Sequence, residues 1–300
     1  MTTNSTTIES WSTKLDIAPV TCAHEKVCKR CNTIAKFVQM PPNNNSTIIN
    51  PTQIDWISEF CGGVLGFRAR ISGVQHELAE LSHVRDVRLD PADLDYHLAA
   101  LFFAMDSALE CLAYALNAIG WACAPSDCKC YMDLHVEKSL KGINIGIYTN
   151  AKNSCTNNKC PSFPAMRKCW QADANKKCID RLTQQHDVTK HRRATMAGHG
   201  QRQIAATETS ASDQVTRRSH LVSMRNNPPA DYILHTNIKA LPVEKAQASA
   251  RGKPCGSPLA ELLSEGKVYF LGELIKQYKV LIEETAKCFE SDIDALLAKY

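Results

Sequence analysis

The stretch Asp90–Gly120, DPADLDYHLAALFFAMDSALECLAYALNAIG, decides the fold class. Asp90 before Pro91 reads as a helix start: the carboxylate accepts from the first free amides, and proline at the first helical position gives up no bond the helix needs. Asp93 adds negative charge where the helix dipole favours it. Leu94, Leu98, Leu101, Met105, Ala108, Leu112, Ala115 and Ile119 recur at steps of three and four, and Phe102, Leu109 and Leu116 widen the apolar face. Gly120 supplies a stop. A face this broad packs on several neighbours, which predicts the central helix of an all-α bundle. From Leu98 to Ala124 the chain is apolar enough to suggest a membrane span, but Asp106 and Glu110 near its middle would cost about 2.5–3.5 kcal/mol each in lipid. The expectation is a buried helix in a soluble protein without a membrane partner.

Working outward, Ile57, Phe60, Val64, Phe67, Ile71, Val74, Leu78 and Leu81 mark a second long amphipathic helix, although Gly62, Gly63, Gly66 and Gly73 each weaken it by roughly 1 kcal/mol relative to alanine. The periodicity predicts a third helical stretch from about Met166, carrying Trp170, Ile179 and Leu182. A last helix is expected from about Leu259 to Leu297, with Leu271, Leu274, Ile275, Tyr278, Leu281, Ile282, Phe289, Ile293 and Leu296 as its stripe.

Between these helices the composition changes. Residues 1–50 read as a polar tail with a Cys/His cluster, and 51–300 as the bundle domain. That domain is interrupted by a Cys-rich irregular insertion at 121–165, in which INIGIY near Ile143 looks strand-like, and by a loop-like segment at 200–258. The 300 residues, 44% hydrophobic and 22% charged, exclude a wholly disordered or fibrous chain. The net charge of +4 is too small to indicate a nucleic-acid coat protein by its sum. No Walker A, dinucleotide-binding, His-Glu-x-x-His or Gly-x-Ser-x-Gly motif is present.

Fourteen cysteines are many for a chain of this size. The start, MTTNSTTIESW, has neither a basic nor an apolar signal region, so the thiols are expected to be reduced and the protein cytoplasmic. Cys22, His24, Cys28 and Cys31 place three thiols and an imidazole within ten residues, enough for a tetrahedral structural zinc of the Cys3His kind. The metal would supply folding free energy to a segment otherwise poor in apolar residues. Cys123, Cys128, Cys130, Cys155, Cys160, Cys169 and Cys178 form a looser second group that His135 could complete.

The third helix carries a different chemistry. Leu182, His186, Thr189, Arg193 and Met196 share one helical face, so a seam that should point inward turns polar midway. Eight Lys/Arg lie between Arg167 and Arg193 against Asp173, Asp180 and Asp187. Arginine binds phosphate bidentately and histidine titrates near neutrality, the means by which a 2'-hydroxyl can be deprotonated and a phosphorane stabilised.

A helical bundle whose late helix carries Arg-x(4–6)-His resembles the HEPN superfamily, and the segment here is KHRRATMAGHG, Lys190–Gly200. The same spacing also fits Arg70 to His76 and Arg181 to His186, but only the pairs from 181 to 199 stand between the central and last helices. The resemblance implies a HEPN-like fold and a metal-independent endoribonuclease of the toxin or defence type, or a relative that binds RNA without cutting it. It implies a homodimer whose groove joins Arg193 and His199 from two protomers, with Arg192 as an alternative cation and His186 as an alternative imidazole, no cofactor for catalysis, and an antitoxin as partner. Ala194 stands where active members commonly carry a polar residue. The alternative is a non-enzymatic helical interaction or scaffold protein with structural zinc.

Overall fold

The computed structural model describes residues 14–35, 51–87, 91–124, 128, 130–134, 143–149, 160–191, 197–198, 233–235 and 268–299. The fold is all-α. Its helices are α1 (Ala18–Ala35), α2 (Pro51–Val87), α3 (Pro91–Cys123), a single turn α4 (Gly146–Thr149), α5 (Pro164–Gln171), α6 (Asp173–His191) and α7 (Leu271–Leu297). Three short strands, β1 (Ala197–Gly198), β2 (Ile233–His235) and β3 (Val268–Phe270), pair antiparallel in that order. The described residues divide into two compact units: those within 14–74, 103–180 and 277–300 form the larger, and those within 75–102 and 181–276 the smaller.

In the larger unit α2 and α3 run antiparallel in close contact. Phe60, Val64, Phe67, Ile71 and Val74 of α2, and Met105, Ala108, Leu112, Ala115 and Ile119 of α3, are buried, as their three-four spacing requires. Gly63 is where the backbones come closest: a Cβ there would lie 2.8 Å from both the Ala115 nitrogen and the Cys111 oxygen. The helix-weakening glycine is therefore what lets α2 approach α3. Gly62, one residue earlier, has nothing within 4 Å of the same position. Tyr114 donates to Glu59, and Arg70 lies 4.6 Å from the centre of the Phe103 ring, so polar contacts flank this seam. In the smaller unit, α2 and α3 are joined by an ion pair, with His97 Nδ1 2.8 Å from a Glu77 carboxylate oxygen.

Helix α7 is the post of the larger unit. Leu281, Ile282, Phe289 and Ile293 are fully buried along it, together with Tyr278, whose hydroxyl donates to the Met105 carbonyl at 3.2 Å. The Trp170 indole donates to Thr285 Oγ1 at 3.0 Å, and the Asn175 amide donates to Glu284 Oε2 at 2.8 Å. Asp292 caps α5 from a distance: its two carboxylate oxygens accept from the Ala165 amide at 3.0 Å and the Met166 amide at 2.8 Å. The N-cap residue of α5 is Phe163, which has no acceptor and sits at φ 37 ahead of Pro164, so the orphan amides take their partner from α7. Burial raises the Asp292 pKa, opposed by these two backbone bonds.

Several boundaries differ from the sequence expectation. Ala18–Ala35, within the segment read as a polar tail, is a helix with Val20, Ala23, Val27 and Ile34 buried at steps of three, four and seven. INIGIY is not a strand: Asn144 Oδ1 accepts from the Gly146 amide, and the bonds Ile147 N to Asn144 O and Tyr148 N to Ile145 O close a helical turn that buries Tyr148. The third stretch is two helices, because Ala172 leaves helical geometry at ψ 134. Gly120 does not end α3. The helix runs on to Cys123, and the glycine instead leaves room for the Tyr131 ring. The thiols are not all reduced, since Cys128 and Cys160 are joined as a disulfide. Tyr131 brings the two ends of that insertion together by donating to the Pro161 carbonyl. The last helix is described from Leu271, and residues 259–267 lie outside the described part. The stretch Tyr96–Cys123 is long and apolar enough to cross a membrane by length and composition, and 67% of its most apolar window is buried within the protein.

The two adjacent glycines give a paired test. Gly63→Ala is expected to destabilise the protein by about 1–3 kcal/mol through overpacking, whereas Gly62→Ala should stabilise it by up to about 1 kcal/mol through helix propensity alone. Denaturant unfolding of both variants checks this. Equal effects at the two positions would show that α2 and α3 are not in contact at Gly63.

Candidate metal centre

Helix α1 offers its apolar stripe to the larger unit and carries sulfur and nitrogen ligands beside it. His24 and Cys28 are one turn apart and Cys31 is a further turn on, so all three fall on one side of the helix and all are half-buried. The partner comes from α2, where Cys61 follows the buried Phe60. His24 Nε2 lies 3.3 Å from Cys61 Sγ and 3.5 Å from Cys28 Sγ, and the two sulfurs are 3.8 Å apart. Among the described residues this is the group of His, Cys and acidic side chains compact enough to hold one metal ion, with all ligand atoms within 4.8 Å of one another.

The separations have a chemical meaning. Tetrahedral zinc with bonds of about 2.3 Å to sulfur and about 2.0 Å to nitrogen sets sulfurs roughly 3.8 Å apart and nitrogen roughly 3.5 Å from sulfur. The three edges here match that face of a tetrahedron within a few tenths of an ångström. The imidazole is also oriented for the task. Its ring stacks on Phe60 with centroids 6.1 Å apart and planes at 23°, and Phe60 stacks in turn on Phe289 at 6.3 Å.

Electrostatics favour a soft dication. Burial, helped by the positive charge of Arg68, lowers the His24 pKa from its ordinary 6.5, so the ring is neutral and able to ligate at neutral pH. Burial and the adjacent Cys28 and Cys31 push the Cys61 thiol up to about 11. Thiols this close resist ionising together, and a bound dication is what would remove their protons.

Cys22 stands elsewhere. It is exposed on the opposite side of α1, where Glu290 and Lys26 are its neighbours, and the hydrogen bond to Glu290 raises its pKa. Lys26 reaches across to α7, at 3.0 Å from Glu290 and 2.8 Å from Asp294. Arg30 donates to the Leu297 carbonyl at 3.0 Å, capping the end of α7. The cluster that assembles therefore keeps His24 and Cys28, adds Cys61 from a residue distant in sequence, and leaves Cys22 on the surface. Sequence spacing could not find Cys61, because its only sequence signal is a position beside the core stripe of α2.

The other candidates are placed as follows. His186 is buried on α6, at 9% exposure, one turn beyond the fully buried Leu182. Arg192, Arg193 and His199 lie outside the described residues, as do His135 and Cys155. Of the looser cysteine group, Cys128 and Cys160 are bonded to each other, and Cys169 is buried beside Thr285 and Asn175. Comparison with protein-family models, with curated proteins and with solved structures finds no match.

The cluster predicts an asymmetry between two nearby thiols. Cys61→Ser is expected to weaken zinc binding by at least about tenfold, the loss that even an outer-sphere partner can cause, and Cys22→Ser to leave it unchanged. Competition of the full chain with a chromophoric chelator measures both. Equal loss in the two variants would move the metal site away from Cys61.

Proposed function

We propose that the chain is a non-enzymatic helical scaffold in which a structural zinc ion fastens α1 to α2. The observation that carries this reading is the match of the His24, Cys28 and Cys61 separations to the edges of a zinc tetrahedron. Zinc would be held by His24 Nε2 and the two thiolates, and it would supply cross-linking free energy between two helices joined through residues outside the described part. That contribution suits α1. Among the described residues its buried apolar side chains are Val20, Ala23, Val27 and Ile34, and its ion pairs to α7 are partly exposed. A metal site of this kind adds what the apolar area does not.

The competing proposal is the metal-independent endoribonuclease built on Arg193 and His199. It differs in a measurable way, because its activity would survive chelation while the scaffold's stability would not.

The purified full chain is expected to carry about one zinc per molecule by elemental analysis. Removing it with a strong chelator should lower the thermal midpoint by about 5 °C or more, the shift that roughly 2 kcal/mol produces in a protein of this size. Labelled RNA should remain uncut in the same chelator. An unchanged midpoint in metal-free protein would overturn the scaffold reading. So would RNA cleavage in chelator that disappears in the folded double variant Arg193→Ala, His199→Ala.

A further inference from the structure

The three ligands of the proposed centre occupy one face of a tetrahedron, and the fourth corner decides what the metal can do. A water there makes an open site able to polarise or hydrolyse a substrate; a protein ligand makes a closed site that only holds structure. We propose that Cys31 is the fourth ligand, giving a closed Cys3His centre of His24, Cys28, Cys31 and Cys61. This rests on the zinc reading above and names the chemistry of that same site.

The helix supplies the geometry. At about 100° per residue, Cys28 lies roughly 40° around α1 from His24 and Cys31 roughly 20° to its other side, so the three side chains span an arc of roughly 60°. Cys22 is roughly 160° away by the same count. Cys31 is half-buried on the same side of α1 as His24 and Cys28. Its sulfur is not among the atoms mutually within 4.8 Å. Because α1 already fixes its backbone, reaching the metal requires a turn about its own side-chain torsion.

The charge balance agrees. One dication with two thiolates is neutral, whereas with three thiolates the centre carries one net negative charge. Arg68 of α2 places a positive charge near the cluster that offsets it.

Cobalt(II), which reports tetrahedral thiolate ligation by its absorption, tests the fourth corner. Zinc is removed from the full chain under reducing conditions, cobalt is added, and the thiolate-to-cobalt charge-transfer band is read. Cys31→Ser is expected to lower that band by about one third, as three thiolates become two, and Cys22→Ser to leave it unchanged. If the wild-type chain shows no tetrahedral cobalt spectrum, the zinc reading fails and this proposal with it. If the wild type shows the spectrum and folded Cys31→Ser matches it, the zinc reading stands and Cys31 is not a ligand. A second measurement needs no variant: alkylation of the wild-type chain, read by mass spectrometry with and without zinc. Zinc should protect Cys31 along with Cys28 and Cys61 while Cys22 labels equally in both states. Equal labelling of Cys31 in the two states overturns the proposal.

Discussion

The larger unit depends on the burial of α7, because a helix enclosed on several sides must find a partner for every polar group it takes inside. Leu281, Ile282, Phe289 and Ile293 supply the apolar contact, and Thr285, Glu284 and Asp292 each accept a hydrogen bond from α5 or α6. These bonds are directional where apolar contact is not, and leaving the buried Thr285 or Asp292 without its donor costs about 1–3 kcal/mol. They set where α5 and α6 sit along the post. Asp292 has the largest role among them, since it supplies the cap that Phe163 cannot.

The same post positions the candidate metal centre. Phe289 of α7 stacks on Phe60 of α2, and Phe60 stacks on the His24 ring, so the imidazole is oriented by a chain of aromatic contacts that begins in the core. On the other side of α1, Lys26 and Arg30 fasten the helix to Glu290, Asp294 and the Leu297 carbonyl. Those exposed charges fix the direction of α1 more than its stability, because solvent screens such pairs to about 1 kcal/mol or less. A metal bridge between His24, Cys28 and Cys61 is the interaction that would carry the energy.

Much of the core was legible from periodicity. The stripes from Phe60 to Leu81, Leu98 to Ile119 and Leu271 to Leu296 are the residues that became buried, since helical burial follows directly from a spacing of three and four. The candidate centre was legible only in part. His24 and Cys28 are one turn apart and announce themselves. Cys61 does not, because it is 33 residues from Cys28 and meets it only when α1 lies on α2. Cys22 looked equivalent to Cys28 as a run of letters, and helical geometry turned it to the far side.

By itself, then, the amino-acid sequence determined the helices and their inward faces, because those depend on local propensity and on a period that a linear chain can display. The tertiary structure decided which faces meet. It showed that Gly63 is a point of contact and not merely a weak spot, that Asp292 caps a helix 126 residues before it, and that a thiol from α2 lies beside the imidazole and thiol of α1. Each is a contact between residues far apart in sequence, and its energy exists only once separate helices have been brought within a few ångströms of one another.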